Sequence, residues 1–118
     1  MKLIYTNKTV EKQCTELRRA KKDFSDKVAL KLHQLINLLE VSDSLASVTA
    51  FPKYHFHQLK GKRNGQFALD IDGRRSSYRL IVGFREDYVV VRRLSVWVRP
   101  EEGSWAHWKE QLVGGQLV

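Results

Sequence analysis

At 118 residues, 42% of them hydrophobic and 29% charged, the chain has the size of a single domain, 1–118, that hides about two-thirds of its unfolded surface. No apolar run reaches the about 18 residues of a membrane span, no cleavable leader is visible and the one cysteine, Cys14, cannot close an internal disulfide, so a cytoplasmic chain outside the membrane is expected. The net charge is +8, and eleven Lys/Arg against four Asp/Glu between Lys53 and Arg99 put +7 of it in one stretch, which excludes an even solubilising coat and points to a polyanion as partner.

Residues 2–6, KLIYT, predict a short first strand, and Asn7 or Thr9 caps the helix that follows. Val10, Cys14, Leu17, Ala20 and Phe24 recur at spacings of three and four, one buried stripe, while Lys12, Glu16, Arg19 and Lys22 take the other faces. Ser25 or Asp26 caps a second helix, whose stripe of Val28, Leu32, Leu35, Ile36 and Leu39 runs to the Ser42-Asp43-Ser44 break. From Tyr54 the period changes to two. Phe67, Leu69 and Ile71 alternate with Gln66, Ala68 and Asp70, and Tyr78, Leu80, Val82 and Phe84 alternate with Ser77, Arg79 and Ile81. Asn64-Gly65, Asp72-Gly73 and Glu86-Asp87 are turns between these runs, and Tyr88 to Val98 is the last strand. Pro100 ends it, and Ser104 begins a short helix carrying Trp105 and Trp108 as apolar cover. The predicted fold is therefore α+β: an N-terminal helical hairpin packed on one face of a mainly antiparallel four- to five-stranded sheet, with a short C-terminal helix. The opposite face is left for the basic side chains.

The stretch HFHQLKGKRNGQF, residues 55–67, concentrates the chemistry. His55 and His57 at i, i+2 on a strand share a face, but Cys14 and His33 lie on the helices and His107 in the tail, so no metal site is expected. Cleavage of RNA through its own 2′-OH requires a proton acceptor, a cation for the charge building on phosphorus oxygens and a donor for the leaving 5′-oxygen, and no metal or other cofactor. Lys60, Arg63 and Arg79 suit the charge, and a histidine suits either proton transfer. Basic side chains beside aromatics on a sheet serve equally for holding single-stranded RNA without chemistry.

FHQLKG at 56–61, KRNGQFALDI at 62–71 and SYRLI at 77–81, in that order, resemble the central block of the RelE/ParE superfamily of bacterial toxins, most closely its HigB-like killer-protein members. The similarity covers about residues 51–84. It implies a RelE-like fold and a ribosome-dependent mRNA endonuclease, the toxin of a type II toxin–antitoxin pair, whose partners are mRNA on the ribosome and a cognate antitoxin with a helix-turn-helix. Lys60 and Arg79 match the basic residues that such toxins place around the scissile phosphate, and His57 occupies a frequent family position. Lys62, Arg63, Arg74, Arg75, Arg92 and Arg93 are the expected RNA contacts. These toxins commonly finish the last strand with an acid-Tyr-His group, whereas Arg92 to Pro100 reads RRLSVWVRP. The proton-transfer groups are thereby left open among His55, His57 and His107. Two alternatives accompany this reading: a ParE-like toxin acting on DNA gyrase, and a non-catalytic RNA- or ribosome-binding regulatory module.

Overall fold

The computed structural model describes residues 1–59, 65–73, 77–85, 88–98 and 109–112. Strand β1 spans Lys2–Tyr5 and leads into helix α1, Lys8–Thr15, whose N-cap Asn7 accepts from the Val10 amide at 2.9 Å. The single helix expected from Val10 to Phe24 is interrupted: α2, Leu17–Asp23, starts anew after Glu16, which is extended at φ −115° and ψ 107°. Tertiary polar contacts account for the break. Gln13 is only 1% exposed, its carbonyl accepts from His33 Nε2 at 3.1 Å, and its amide donates to Asp23 Oδ2 at 2.9 Å. Arg19 Nε donates to the same Asp23 oxygen at 2.9 Å. With the Gln13 backbone carbonyl turned to His33 and its side-chain amide to Asp23, these contacts outweigh one continuous turn of helix. The apolar stripe survives the interruption, with Val10, Cys14, Ala20 and Phe24 all buried.

Burial pushes the Asp23 carboxyl up, but hydrogen bonds from Gln13 and Arg19 and the Arg19 charge outweigh it and hold the pKa below its ordinary value. The folded form therefore favours the carboxylate. The resulting stability is in place above the ordinary carboxylate pKa, about 4, and is lost as pH falls through the lower folded value. Urea midpoints measured against pH are expected to fall more steeply below about pH 4 for the wild type than for Asp23→Asn.

Helix α3, Asp26–Val41, is capped by Ser25, which accepts from the Val28 amide at 3.2 Å, and buries Val28, Leu32, Leu35, Ile36 and Leu39. A five-residue helix α4, Leu45–Thr49, and a 3-10 turn, Pro52–Tyr54, carry the chain to the sheet. Its strands are β2, His57–Gln58; β3, Gln66–Asp70; β4, Tyr78–Arg85; β5, Tyr88–Val98; and β6, Lys109–Leu112. The order is β1-β5-β4-β3-β2, with β6 also on β5. Long β5 has β4 on one side and, end to end on the other, β1 beside Tyr88 to Val91 and β6 beside Ser95 to Val98. Because β1 runs parallel to β5, the sheet is mixed. The terminal helix expected around Trp105 and Trp108 falls outside the described residues, and Lys109–Leu112, where description resumes, is a strand.

One face of the sheet meets the helices. Leu69, Ile71, Leu80, Val82, Val89, Val91 and Leu94 join the helical stripes in the main core, as the alternation predicts. Phe56, Phe67 and Phe84 extend this face, Phe56 stacked on Phe67 at 5.1 Å and Phe84 edge-on to Phe67 at 5.3 Å between ring centres.

Candidate nucleic-acid interface on the second face of the sheet

Register fixes which side chains share the face turned from the helices. His57 lies opposite Ala68, Ala68 opposite Ile81, and Ile81 opposite Arg93, forming one row across β2, β3, β4 and β5. Asp70, Arg79 and Ser95 form the next row. This face is more than a bed for cations. Leu59, Ala68 and Ile81 make a second, small apolar cluster, and Asp70 and Ser95 are buried with them.

Arg79, expected at a scissile phosphate, is set into this layer. Its Nε meets Asp70 Oδ1 at 2.9 Å, with the two side chains 12% and 0% exposed, and its Nη1 donates to the Tyr78 carbonyl at 2.9 Å. A guanidinium held in this way has one orientation rather than many, which is the geometry of a preorganised charge.

Arg92 and Arg93 are consecutive, and on a regular strand they would point to opposite faces. A β-bulge removes the conflict. Ile81 pairs with Arg93 and Val82 with Val91, so Arg92 is the extra residue. Its Cδ lies 3.8 Å from where a Cβ on Gly83 would stand, so the Arg92 stem crosses the second face in room left by the glycine. Arg93 Nη1 donates to Gln66 Oε1 at 2.8 Å on the same face. Thr6 holds the bulge backbone from the end of β1, its hydroxyl donating to the Arg92 carbonyl at 2.7 Å and its amide to the Val91 carbonyl at 3.2 Å.

The two histidines meet in an unusual turn. His55 ends the 3-10 turn in the left-handed region at φ 40° and ψ 53°, with its amide donating to the Pro52 carbonyl at 3.0 Å. The His55 carbonyl lies 2.7 Å from His57 Nδ1, and the two rings are 4.7 Å apart. Elsewhere, Cys14 is buried and its thiol is pushed by that burial up to about 12, which keeps it protonated and unfit as a nucleophile. Among the described residues no group of three or more His, Cys, Asp or Glu is arranged to hold a metal ion, and no helix is long and apolar enough to cross a membrane.

Of the residues expected at the site, His57, Arg79, Arg92 and Arg93 thus share one face, whereas Lys60, Lys62, Arg63, Arg74 and Arg75 lie outside the described residues. From strand spacing, His57 and Arg93 are about 14 Å apart along their row, and Arg79 is about 12 Å from His57. Sequence reasoning missed Asp70 as the partner of Arg79, because its place in the alternation reads as a solvent-facing position. It also missed the bulge, whose signal was the spacing of three between the inward residues Val91 and Leu94.

No protein-family model matches the chain, and no curated protein does. Among solved structures it is similar to the solution structure of the conserved hypothetical protein HP0894 from Helicobacter pylori, at 23% identity and a TM-score of 0.49, over 80% of this chain and 91% of that one.

Proposed function

We propose that the chain is a RelE-type, HigB-like toxin: a metal-independent, ribosome-dependent endoribonuclease that acts on mRNA in the cytoplasm and is neutralised by an antitoxin with a helix-turn-helix. The observation that carries this reading is the coincidence of motif and face. The block FHQLKG, KRNGQFALDI and SYRLI supplies β2, β3 and the start of β4, and His57 and Arg79 from it share the second face with Arg92 and Arg93. Arg92 and Arg93 on the same face as an imidazole suit an extended RNA backbone, since phosphate contacts supply affinity and a histidine supplies proton transfer. Induced expression in a bacterium is expected to stop growth and to leave codon-phased mRNA ends at stalled ribosomes. Normal growth at good expression with no such ends would overturn the proposal, and supercoiling loss with intact mRNA would redirect it to gyrase.

The departure of RRLSVWV from the acid-Tyr-His ending favours a second reading, binding to RNA or the ribosome without cleavage. Both readings share one prediction. Arg92→Ala and Arg93→Ala are each expected to weaken binding of a single-stranded RNA, and to reduce the slope of log K against log salt by about 0.7 for each phosphate that the variant leaves unneutralised. Fluorescence anisotropy titrations at several salt concentrations check it.

A further inference from the structure

We propose that the cleft between α3, the Pro52–Tyr54 turn and the end of β3 takes an acidic peptide segment of a partner protein, one apolar side chain of which enters the cleft; the proposal does not depend on the ribonuclease reading. Lys31 and Gln34 from α3, Lys53 and Tyr54 from the turn, and Ile71 and Asp72 after β3 line it, around a volume of about 230 Å³. Because Ile71 belongs to the core shared with the helices, the cleft opens on the helix side of the sheet, away from Arg92 and Arg93.

Its construction is an apolar floor under a cationic rim. Tyr54 and Ile71 are buried, whereas Gln34 and Lys53 are exposed and Lys31 is half-buried. Lys27, Lys31 and Gln34 recur at spacings of four and three along α3 and so share one side of the helix. Lys27 Nζ lies 3.6 Å from Asp72 Oδ2, which brings a third ammonium group to the rim. Three ammonium groups thus stand against one carboxylate, and among the described residues the side chains of Lys31 and Gln34 have no hydrogen bond or ion pair. Phe51, 44% exposed beside Tyr54, extends the apolar surface past the rim.

Size and chemistry select the occupant. Pockets that enclose a whole small molecule run to about 300–1,000 Å³, so this cleft suits one side chain of a longer chain. The Tyr54 ring offers no stacking platform for a base: the Lys53 ammonium sits 5.0 Å from its centre, and Phe51 meets it edge-on at 6.2 Å. A phosphate backbone would meet the Asp72 carboxylate as a like charge and bring no donor for it. A peptide brings N–H groups for Asp72 and Gln34, carboxylates for Lys27, Lys31 and Lys53, and an apolar side chain for the floor.

A fluorescein-labelled peptide with four glutamates around one leucine, titrated onto the full chain and followed by fluorescence anisotropy, is expected to bind saturably and more weakly as salt rises. Lys31→Glu and Lys53→Glu are each expected to weaken it about 10-fold or more while keeping the circular dichroism of the wild type, whereas Lys12→Glu, an equal change of charge on α1, leaves it within about 2-fold. Alanine in place of the peptide's leucine is expected to weaken binding about 10-fold. Single-stranded RNA is expected not to displace the peptide. Absence of saturable binding would overturn the proposal, because the cleft then takes no such segment. Equal losses from Lys12→Glu and the two cleft variants would overturn it by showing an attraction of overall charge only, and displacement by RNA would overturn it by assigning the cleft to nucleic acid. Failure of the chain to cut mRNA bears on the ribonuclease reading alone.

Discussion

Asp70→Ala is expected to cost about 3–5 kcal/mol of stability, which for a domain of this size lowers the melting temperature by roughly 12–20 °C. The reason is the company the carboxylate keeps. Asp70 has no exposed surface and meets a guanidinium that is itself only 12% exposed, so its removal leaves a cation inside the protein without the charge that balances it. Asp70→Leu combined with Arg79→Met is expected to recover most of that loss, because the pair lies beside Leu59, Ala68 and Ile81 and an apolar pair of similar volume needs no compensation there. Calorimetry on the single and double variants checks both statements. An Asp70→Ala protein melting within about 2 °C of the wild type would show that the ion pair carries little of the stability. The double variant also tests Arg79: a stable protein that no longer cuts mRNA assigns it to the chemistry, and one that cuts normally assigns it to the fold.

Lys60→Ala is expected to lower cleavage by about one to three orders of magnitude with the melting temperature unchanged, as for removal of one cation that meets the phosphate in the transition state. Single-turnover cutting of ribosome-bound mRNA measures it. The expectation rests on the proposed ribonuclease reading and on the position of Lys60 in Leu59-Lys60-Gly61 of the motif block. Undiminished growth inhibition by Lys60→Ala would remove it from the site.

Where local pattern and burial agree, the fold was legible in the sequence. Val28, Leu32, Leu35, Ile36 and Leu39 announce α3, and Leu80 and Val82 announce the inward side of β4, because one periodicity fixes both the element and its buried face. What escaped depended on partners distant in the chain. The break at Glu16 is set by Gln13, Asp23 and His33, and the parallel pairing of β1 by a strand more than eighty residues on. The same division holds at the site. His57 was visible as a residue type, but its contact with the His55 carbonyl depends on an uncommon backbone conformation. Arg79 was visible as a charge, but nothing local ties it to Asp70, the residue across the β3–β4 ladder.

The bulge at Arg92 has a consequence for how this chain tolerates change. It works as a phase shift: before it Val89 and Val91 point into the core, and after it Leu94 does, one step out of rhythm. Core packing and surface charge along β5 are therefore coupled through a count of one. A substitution within Tyr88 to Val98 alters one position, but the deletion of Arg92 would remove the bulge, keep Leu94 inward in a simple alternation and take one arginine from the second face. The arginine pair and the inward leucine can persist together only while that length is kept, so this strand is constrained in its spacing as well as in its composition.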